Sequence, residues 1–136
     1  MSYCSRSEHC VLDVMEKLTA ADVSVNEANE IIHELIRLGY IDERRYACAF
    51  VNDKFRFNKW GKIKIAHALR QKEVASNVIQ EALDTIDEEA YSKVLQQLID
   101  TKKKTTKTTA AQQKAAVIRF ALSRGFEYEV VMRLLR

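Results

Sequence analysis

The sequence predicts an all-α protein, a curved array of tandem three-helix repeats, and three observations support this. Its 136 residues include no proline and only three glycines, so signals for turns are few. Apolar residues recur at intervals of three and four, which is the period of an amphipathic helix. The helical segments also match one another at offsets of 51 and 52 residues, a spacing typical of helical repeat proteins.

The first two helices are marked by apolar spacing and by turn signals. The first helix has the i, i+3, i+4, i+7 pattern, carried by Val11, Val14, Met15 and Leu18. The second follows a capping box formed by Ser24 and Glu27. It ends at Gly39, because glycine accepts the left-handed conformation at a helix exit, and Tyr40 is expected to pack back onto Leu35.

The third helix is predicted to begin at Asp42, a good N-cap residue, and to be apolar on two sides. One face is defined by Tyr46, Phe50 and Phe57, and the other by Ala47, Val51 and Phe55. A helix that is apolar on two sides usually lies between two layers, so we expect it in the core of the array.

The same pattern then starts twice more. Leu18, Leu69 and Ala121 correspond, as do Val23, Val74 and Phe126. Asp87 is predicted to cap a sixth helix, and Thr109 and Gln112 to form the capping box of a seventh, which Gly125 closes. The sequence therefore predicts eight helices, grouped three, three and two, within one domain over residues 1–136. The repeats are placed at about 4–58, 59–104 and 108–136.

Composition excludes several classes of protein. The longest apolar run, residues 47–51, is too short to cross a bilayer, and the first ten residues lack the apolar core of a signal peptide, so a cytoplasmic protein is expected. The three cysteines lack paired spacing and are interpreted as reduced thiols. A zinc site at Cys4, His9 and Cys10 is disfavoured because no second ligand pair follows at zinc-finger spacing.

No pattern of an enzyme is present. The sequence contains no phosphate-binding glycine loop, no zinc-protease motif and no nucleophile elbow. The acidic run at residues 87–89 is ordinary at a helix start, where the helix dipole favours carboxylates. We expect neither catalysis nor a cofactor.

Charge is strongly segregated along the chain. Residues 1–53 carry net −5, residues 54–72 net +7, residues 73–100 net −6 and residues 101–136 net +7. Such blocks favour a charged macromolecular partner, although solvated helix faces would give the same pattern.

The first basic block contains KFRFNKWGKIK, residues 54–64, in which cations and aromatic rings alternate. That composition is typical of surfaces that bind single-stranded nucleic acid. The predicted partner-binding cations here are Lys54, Arg56, Lys59, Lys62, Lys64, Arg70 and Lys72. Trp60, by contrast, is expected to pack between repeats rather than to stack on a base, and Gly61 to let the chain turn.

The second basic stretch is TKKKTTKTT, residues 101–109, whose cations are Lys102, Lys103, Lys104 and Lys107. Threonine is a poor helix former, so a mobile joint is predicted here. The cations could contact phosphates, but a plain flexible linker is equally consistent with this sequence.

Longer motifs give the sequence a family resemblance. The segments LIRLGYIDERRYACAFV, WGKIKIAHALRQKEV and ALSRGFEYEVVMRLL occur in this order, and together with the opening CSRSE they resemble the RecX family, regulators of the RecA recombinase. The resemblance covers residues 4–136. The matching positions, mostly of the scaffold, are Gly39, Tyr40, Asp42, Tyr46, Phe50, Trp60, Gly61, Ile65, Leu69, Gly125 and Phe126.

The resemblance implies a function. A RecX-like protein would bind RecA or its filament on single-stranded DNA and inhibit filament growth, ATP hydrolysis and strand exchange. It is expected to be a monomer, and direct contact with DNA is left open. Two alternatives stand beside this hypothesis: a sequence-independent nucleic-acid-binding protein that uses residues 54–72 and 101–107, and a helical scaffold for peptides.

The sequence also departs from the family pattern. Glu73 stands where the family often has glycine, so a tighter or shifted turn is expected there. The last repeat has two helices instead of three, which a truncated chain or a short protein would explain, and no long N-terminal extension precedes the first repeat.

Overall fold

The computed structural model describes residues 8–136, and all regular secondary structure in this range is α-helical. The helices are α1 (Val11–Ala20), α2 (Val25–Arg37), α3 (Glu43–Arg56), α4 (Lys62–Gln71), α5 (Ser76–Leu83), α6 (Glu88–Thr105), α7 (Ala110–Ser123) and α8 (Tyr128–Leu135). The all-α class and the eight predicted helices are thereby confirmed. The boundaries of the repeats stay a prediction.

The helices begin where the predicted capping residues stand. Ser24, Asp42, Asp87 and Thr109 are the N-caps of α2, α3, α6 and α7, and each side chain accepts a hydrogen bond from a backbone N–H of the following turn. Such bonds satisfy donors that a helix start leaves free. Local sequence therefore determines these four starts.

Two apolar cores hold the helices together. The larger one includes Cys10 and buried residues from every helix between α3 and α8. The smaller one lies at α1 and α2 and consists of Val14, Ile32, Leu35 and Ile41. Helices α3, α4 and α5 pack on one another, as do α6, α7 and α8, while α1 packs on α2.

The turn after α2 has the predicted form but a different apolar contact. Gly39 has φ +81°, the Tyr40 N–H donates to the Leu35 carbonyl at 2.8 Å, and the Gly39 N–H donates to the Ile36 carbonyl at 3.1 Å. These bonds define a Schellman motif. However, Ile41 joins the core cluster with Leu35, while Tyr40 is exposed. The prediction that Tyr40 supplies the contact was therefore one residue out.

The two predicted apolar faces of α3 are only partly correct. One face is buried as predicted, through Ala47, Val51 and Phe55. On the other face Tyr46 is buried and Phe50 is half-buried against the core. Phe57 is the C-cap of α3 and is 75% exposed, so its assignment to the core was wrong.

The second basic stretch is mostly helical. Helix α6 continues through the three lysines at 102–104 to Thr105, and only residues 106–109 connect it to α7. Cations in a last helical turn interact favourably with the helix dipole, which offsets the poor helix propensity of threonine. The prediction of a joint over the whole of residues 101–109 was wrong for its first half.

The same turn occurs after α1, α4 and α7. In each turn a backbone N–H donates to the carbonyl five residues earlier, with bonds Val23→Leu18 (3.1 Å), Val74→Leu69 (3.1 Å) and Phe126→Ala121 (3.2 Å). The preceding residues, Asp22, Glu73 and Gly125, have φ values of 62°, 60° and 93°. Glu73 thus adopts the left-handed conformation and keeps the turn unchanged, contrary to the expectation of a tighter or shifted turn.

This strain at Glu73 gives the first prediction. Glu73→Gly should raise the free energy of unfolding by roughly 0.5–1 kcal/mol, because the left-handed conformation costs an L-residue about 1–2 kcal/mol and the chain entropy of glycine offsets only part of this. Urea unfolding measures the change. Glu73→Ala is the control, since it removes the same charge but keeps the Cβ. Equal stabilisation by both variants would contradict the interpretation.

Candidate partner-binding surface

Two loops meet by direct backbone contact at the centre of the array. The Gly61 N–H donates to the Arg124 carbonyl at 2.7 Å, and the Ile63 N–H donates to the Gly125 carbonyl at 2.9 Å. A Cβ at Gly61 would lie 2.4 Å from backbone atoms of Gly125 and Phe126, and a Cβ at Gly125 would lie 2.3 Å from the Cβ of Lys64. Both positions therefore require glycine.

This contact corrects the role predicted for Gly61. Its φ of −79° is accessible to any residue, so the chain does not need glycine there in order to turn. The need is steric, because the turn that follows α7 lies directly against it. We call this contact the glycine junction.

Tyr91 on α6 stabilises the glycine junction from the core. Its hydroxyl accepts a hydrogen bond from the Lys62 N–H at 2.9 Å and donates one to the Glu127 carboxylate at the start of α8. Its ring centroid lies 5.8 Å from that of Phe55 and 5.1 Å from that of Phe126. Burial, followed by the bond to Glu127, raises the pKa of Tyr91, so the hydroxyl stays protonated and continues to donate.

Trp60 lies beside the glycine junction with two lysines over its ring. The Nζ atoms of Lys54 and Lys64 lie 4.9 and 4.5 Å from the ring centroid, within the range of cation–π attraction. The side chain is half-buried and packs on the main core. Trp60 therefore packs on the core as predicted, while its place between two repeats stays a prediction, and its ring also lies close to two cations of the first basic block.

Arg124 extends this surface to the other basic stretch. Its Nη1 donates to the Asn58 carbonyl at 3.4 Å, and its guanidinium carbon lies 5.3 Å from the Phe120 ring centroid. The Nζ of Lys102 lies 5.3 Å from the same centroid. One surface therefore joins the end of α3, the 57–61 loop, α4 and the ends of α6 and α7. We call it the cation–aromatic surface, with members Lys54, Arg56, Lys59, Trp60, Lys64, Lys102, Phe120 and Arg124.

The remaining predicted cations do not all belong to this surface. Lys72 forms an ion pair with Asp13 at 2.6 Å, and Lys62 lies 3.5 Å from the Glu88 carboxylate. The hydrogen bond to Asp13 raises the pKa of Lys72. Residues 54–72 contain no acid, but Asp13 and Glu88 from distant helices lie beside two of the seven cations in this segment.

Other predicted cations are accessible to a partner. Arg56, Lys59, Arg70, Lys103, Lys104 and Lys107 are exposed, and the Lys59 ammonium donates to the Arg56 carbonyl at 3.1 Å. No contact in the described part of the chain ties Arg70, Lys103, Lys104 or Lys107 to the cation–aromatic surface. Their assignment to partner binding stays a prediction.

Sequence reasoning missed Arg124 and Phe120. Both stand outside the two basic runs, so a charge count along the chain does not select them. A signal was nevertheless available. Arg124 directly precedes Gly125 in the turn that corresponds to Lys72–Glu73, and the repeat alignment would have placed a cation there.

The described residues contain neither a group of three potential metal ligands nor a long apolar helix. Within residues 8–136 no three His, Cys, Asp or Glu side chains are grouped so that they could hold a metal ion. Cys4, one member of the disfavoured zinc site, lies outside this range. Burial raises the pKa of the Cys10 thiol to about 11. No helix between residues 8 and 136 combines the length and apolar character that a membrane span requires.

The glycine junction leads to a stability prediction. Gly61→Ala should lower the free energy of unfolding by about 2–4 kcal/mol, because its methyl group would force the two loops apart and weaken two backbone hydrogen bonds. Urea unfolding followed by circular dichroism measures the loss. In the control, Gly39→Ala, the new methyl group has no heavy atom within 4 Å and meets only backbone strain. A Gly61→Ala protein as stable as wild type would show that the loops do not need this contact.

Known proteins resemble the chain in both sequence and structure. A family profile described as RecX, second three-helix domain, matches residues 42–83, which contain α3, α4 and α5. A regulatory protein RecX from Acinetobacter baylyi is 32% identical over 131 residues, which cover 95% of this chain and 79% of that protein. A regulatory protein RecX from Lactobacillus johnsonii is 32% identical over 99 residues, which cover 73% of this chain but 36% of the relative.

Solved structures show the same fold. A crystal structure of a regulatory protein RecX superposes with a TM-score of 0.91 over 98% of this chain and 66% of that one, at 21% identity. A RecX structure from Lactobacillus salivarius gives a TM-score of 0.88 over 98% of this chain and 88% of that one, also at 21% identity. The chain spans about a third of the length of the Lactobacillus johnsonii relative. The resemblance noted in the sequence is confirmed, and the chain belongs to the RecX family of regulatory proteins.

Proposed function

We propose that this chain binds the RecA recombinase, or its filament on single-stranded DNA, and inhibits filament growth, ATP hydrolysis and strand exchange. Family membership supports a regulatory role, and the cation–aromatic surface supports a partner with exposed negative charge. The observation that carries the proposal is the convergence of two separate basic stretches on one surface, through the bond from Arg124 to Asn58 and the contact of Lys102 with Phe120.

The geometry suits binding to an extended filament. Backbone hydrogen bonds at the glycine junction fix the relative positions of these segments, and ring contacts hold the side chains of Lys54, Lys64 and Arg124, so less side-chain order remains to be imposed on binding. A filament presents carboxylates and phosphates together, and a row of preordered cations can pair with both. A protein held on that surface would oppose subunit addition or the conformational cycle that accompanies ATP hydrolysis. In this proposal the ATPase belongs to the partner.

The functional test reverses the charge of Arg56 and Lys59, two exposed cations at the end of α3 and in the 57–61 loop. Arg56→Glu with Lys59→Glu should keep the fold, because both side chains are exposed and exposed substitutions usually change stability by within about 0.5 kcal/mol. The variant should lose most of its inhibition of RecA ATPase on single-stranded DNA when added after filament assembly. Lys64 is avoided because its Cβ packs against Gly125.

The matched control, Lys93→Glu with Arg133→Glu, reverses the charge of two exposed cations on α6 and α8. It changes the net charge by the same amount. It should inhibit like wild type at low and at moderate salt. Circular dichroism melts of all three proteins verify folding. Full inhibition by the Arg56, Lys59 variant would remove this surface from the mechanism.

A second candidate, direct binding of single-stranded DNA, is favoured by one observation. Phe57 exposes 75% of its surface between Arg56 and Lys59, and an exposed ring between cations suits base stacking. Trp60 is less suited to base stacking, because the ammonium groups of Lys54 and Lys64 already lie over its ring.

The Phe57 ring gives a separate prediction. If DNA binds directly, Phe57→Ala should weaken binding of a labelled oligothymidine about fivefold or more, because stacking on one ring is worth about 1–3 kcal/mol per base. Fluorescence anisotropy without RecA, at several salt concentrations, measures it, and binding should weaken steeply with salt. Tyr128→Ala, at another exposed ring, is the control. Unchanged binding by the Phe57 variant would rule out stacking on this ring.

A further inference from the structure

The fold contains a second contact built on the plan of the glycine junction. At offsets of 51 and 52 residues, Cys10 corresponds to Gly61 and Glu73 to Gly125. Cys10 and Gly61 are both N-caps with extended backbones, at φ −86°, ψ 165° and φ −79°, ψ 169°. Glu73 and Gly125 are both left-handed. We call the contact between the start of α1 and the α4–α5 turn the outer junction.

Side chains prevent the outer junction from closing in the same way. Each glycine of the glycine junction lies so close to the opposite loop that a Cβ would collide with it. The outer junction carries a Cβ at both positions. Among the described residues, the backbone of residues 10–12 makes no hydrogen bond to the backbone of residues 72–73. The two sides are joined instead by the ion pair between Lys72 and Asp13, at 2.6 Å.

The outer junction contains a groove at the position where, in the glycine junction, the two loops touch. It has a volume of about 460 Å³, and its apolar lining is formed by Val11, Leu12, Met15, Ala75 and Val78. A neighbouring groove of about 430 Å³ shares Val78 and Glu43 with it and continues to Ile36 and Ile41. Volumes in this range are typical of ligand sites and are large enough for several apolar side chains.

Acids outnumber cations around the two grooves, and Arg44, which lines the second, is paired with Glu81 at 2.9 Å. Glu43 and Glu73 line it, and Asp13 and Glu16 lie near Lys72, the cation on its rim. Asp13 already pairs with Lys72, and Glu73 makes no ion pair within residues 8–136. An apolar occupant with positive charge on its flanks would therefore complement this groove, and an acidic one would be repelled.

We infer that the groove of the outer junction is a docking site for a basic amphipathic helix of a protein partner. Apolar side chains of that helix insert between Val11 and Val78, and its cations lie against Glu43 and Glu73. A helix laid into a groove presents apolar anchors at spacings of three and four, which could reach both adjacent grooves because they share Val78 and Glu43. The site is separate from the cation–aromatic surface and has the opposite charge preference.

The experiment uses the full chain and a defined probe, without RecA or DNA, so its result does not depend on the proposed function. The probe is a fluorescein-labelled helix of 18 residues, composed of leucine and lysine with the leucines on one face. A second peptide replaces every lysine with glutamate. Fluorescence anisotropy should show saturable binding of the lysine peptide and none of the glutamate peptide.

A variant that fills the groove tests whether the peptide binds there. Ala75 lines the groove and makes no side-chain cap bond, so Ala75→Trp should fill it without removing a contact. Affinity should fall about tenfold or more, since burial of one apolar side chain is worth at least that factor. Asn77→Trp places the same ring on an exposed position of α5 outside the groove and should bind like wild type.

Reversing one rim charge tests the electrostatics. Glu73→Lys should weaken binding of the lysine peptide severalfold, whereas Glu30→Lys, on an exposed position of α2, should have a smaller effect. Circular dichroism confirms that each variant folds. Equal binding by the Ala75 and Asn77 variants, equal effects of the two charge reversals, or equal binding of both peptides would each overturn the proposal.

Discussion

The close approach of Gly61 and Gly125 is the constraint on which the arrangement of the rest depends. Two backbone hydrogen bonds join the start of α4 to the turn after α7, although more than sixty residues separate them in the chain. Tyr91 closes the same junction from the core, since it receives the Lys62 N–H and binds Glu127. Gly61 and Gly125 are buried, and backbone hydrogen bonds at buried positions are costly to leave unmade, so the two segments are held in one relative position.

The cation–aromatic surface follows from that position. The glycine junction places the Arg124 side chain beside the 57–61 loop, and Phe120 then brings Lys102 to the same region. Cations from both basic stretches thus meet on one surface. Two further cations of the first basic block do not belong to this surface, because Lys72 pairs with Asp13 and Lys62 lies near Glu88. The surface that a charged partner meets is therefore set by tertiary contacts, not by charge density along the chain.

Local features of the fold could be predicted from the sequence, and contacts between distant segments could not. Ser24, Asp42, Asp87 and Thr109 start helices because their side chains bind N–H groups only two or three residues away. The spacing of apolar residues correctly predicted α3 but extended its apolar face to Phe57. The helix ends at Arg56, which the spacing does not reveal, and Phe57 is therefore exposed. Within the candidate site, the basic runs were visible, whereas Arg124 required the fold to bring it there.

A pair of β-carbons distinguishes the two junctions of this array. Where both facing residues are glycine, the loops approach so closely that they meet by backbone hydrogen bonds. Where Cys10 and Glu73 stand at the corresponding positions, the same plan leaves an apolar groove crossed by one ion pair. The backbone hydrogen bonds from Gly61 to Arg124 and from Ile63 to Gly125 fix the two loops directly, while the partly exposed ion pair between Lys72 and Asp13 joins its two sides through flexible side chains. The start of α1 is thus held by side-chain contacts, which are the Lys72–Asp13 ion pair and the hydrogen bond from the Val11 N–H to the Glu43 carboxylate at 2.9 Å. A partner that contacts both ends would meet a basic surface positioned by backbone contacts at one and an acidic groove positioned by side-chain contacts at the other.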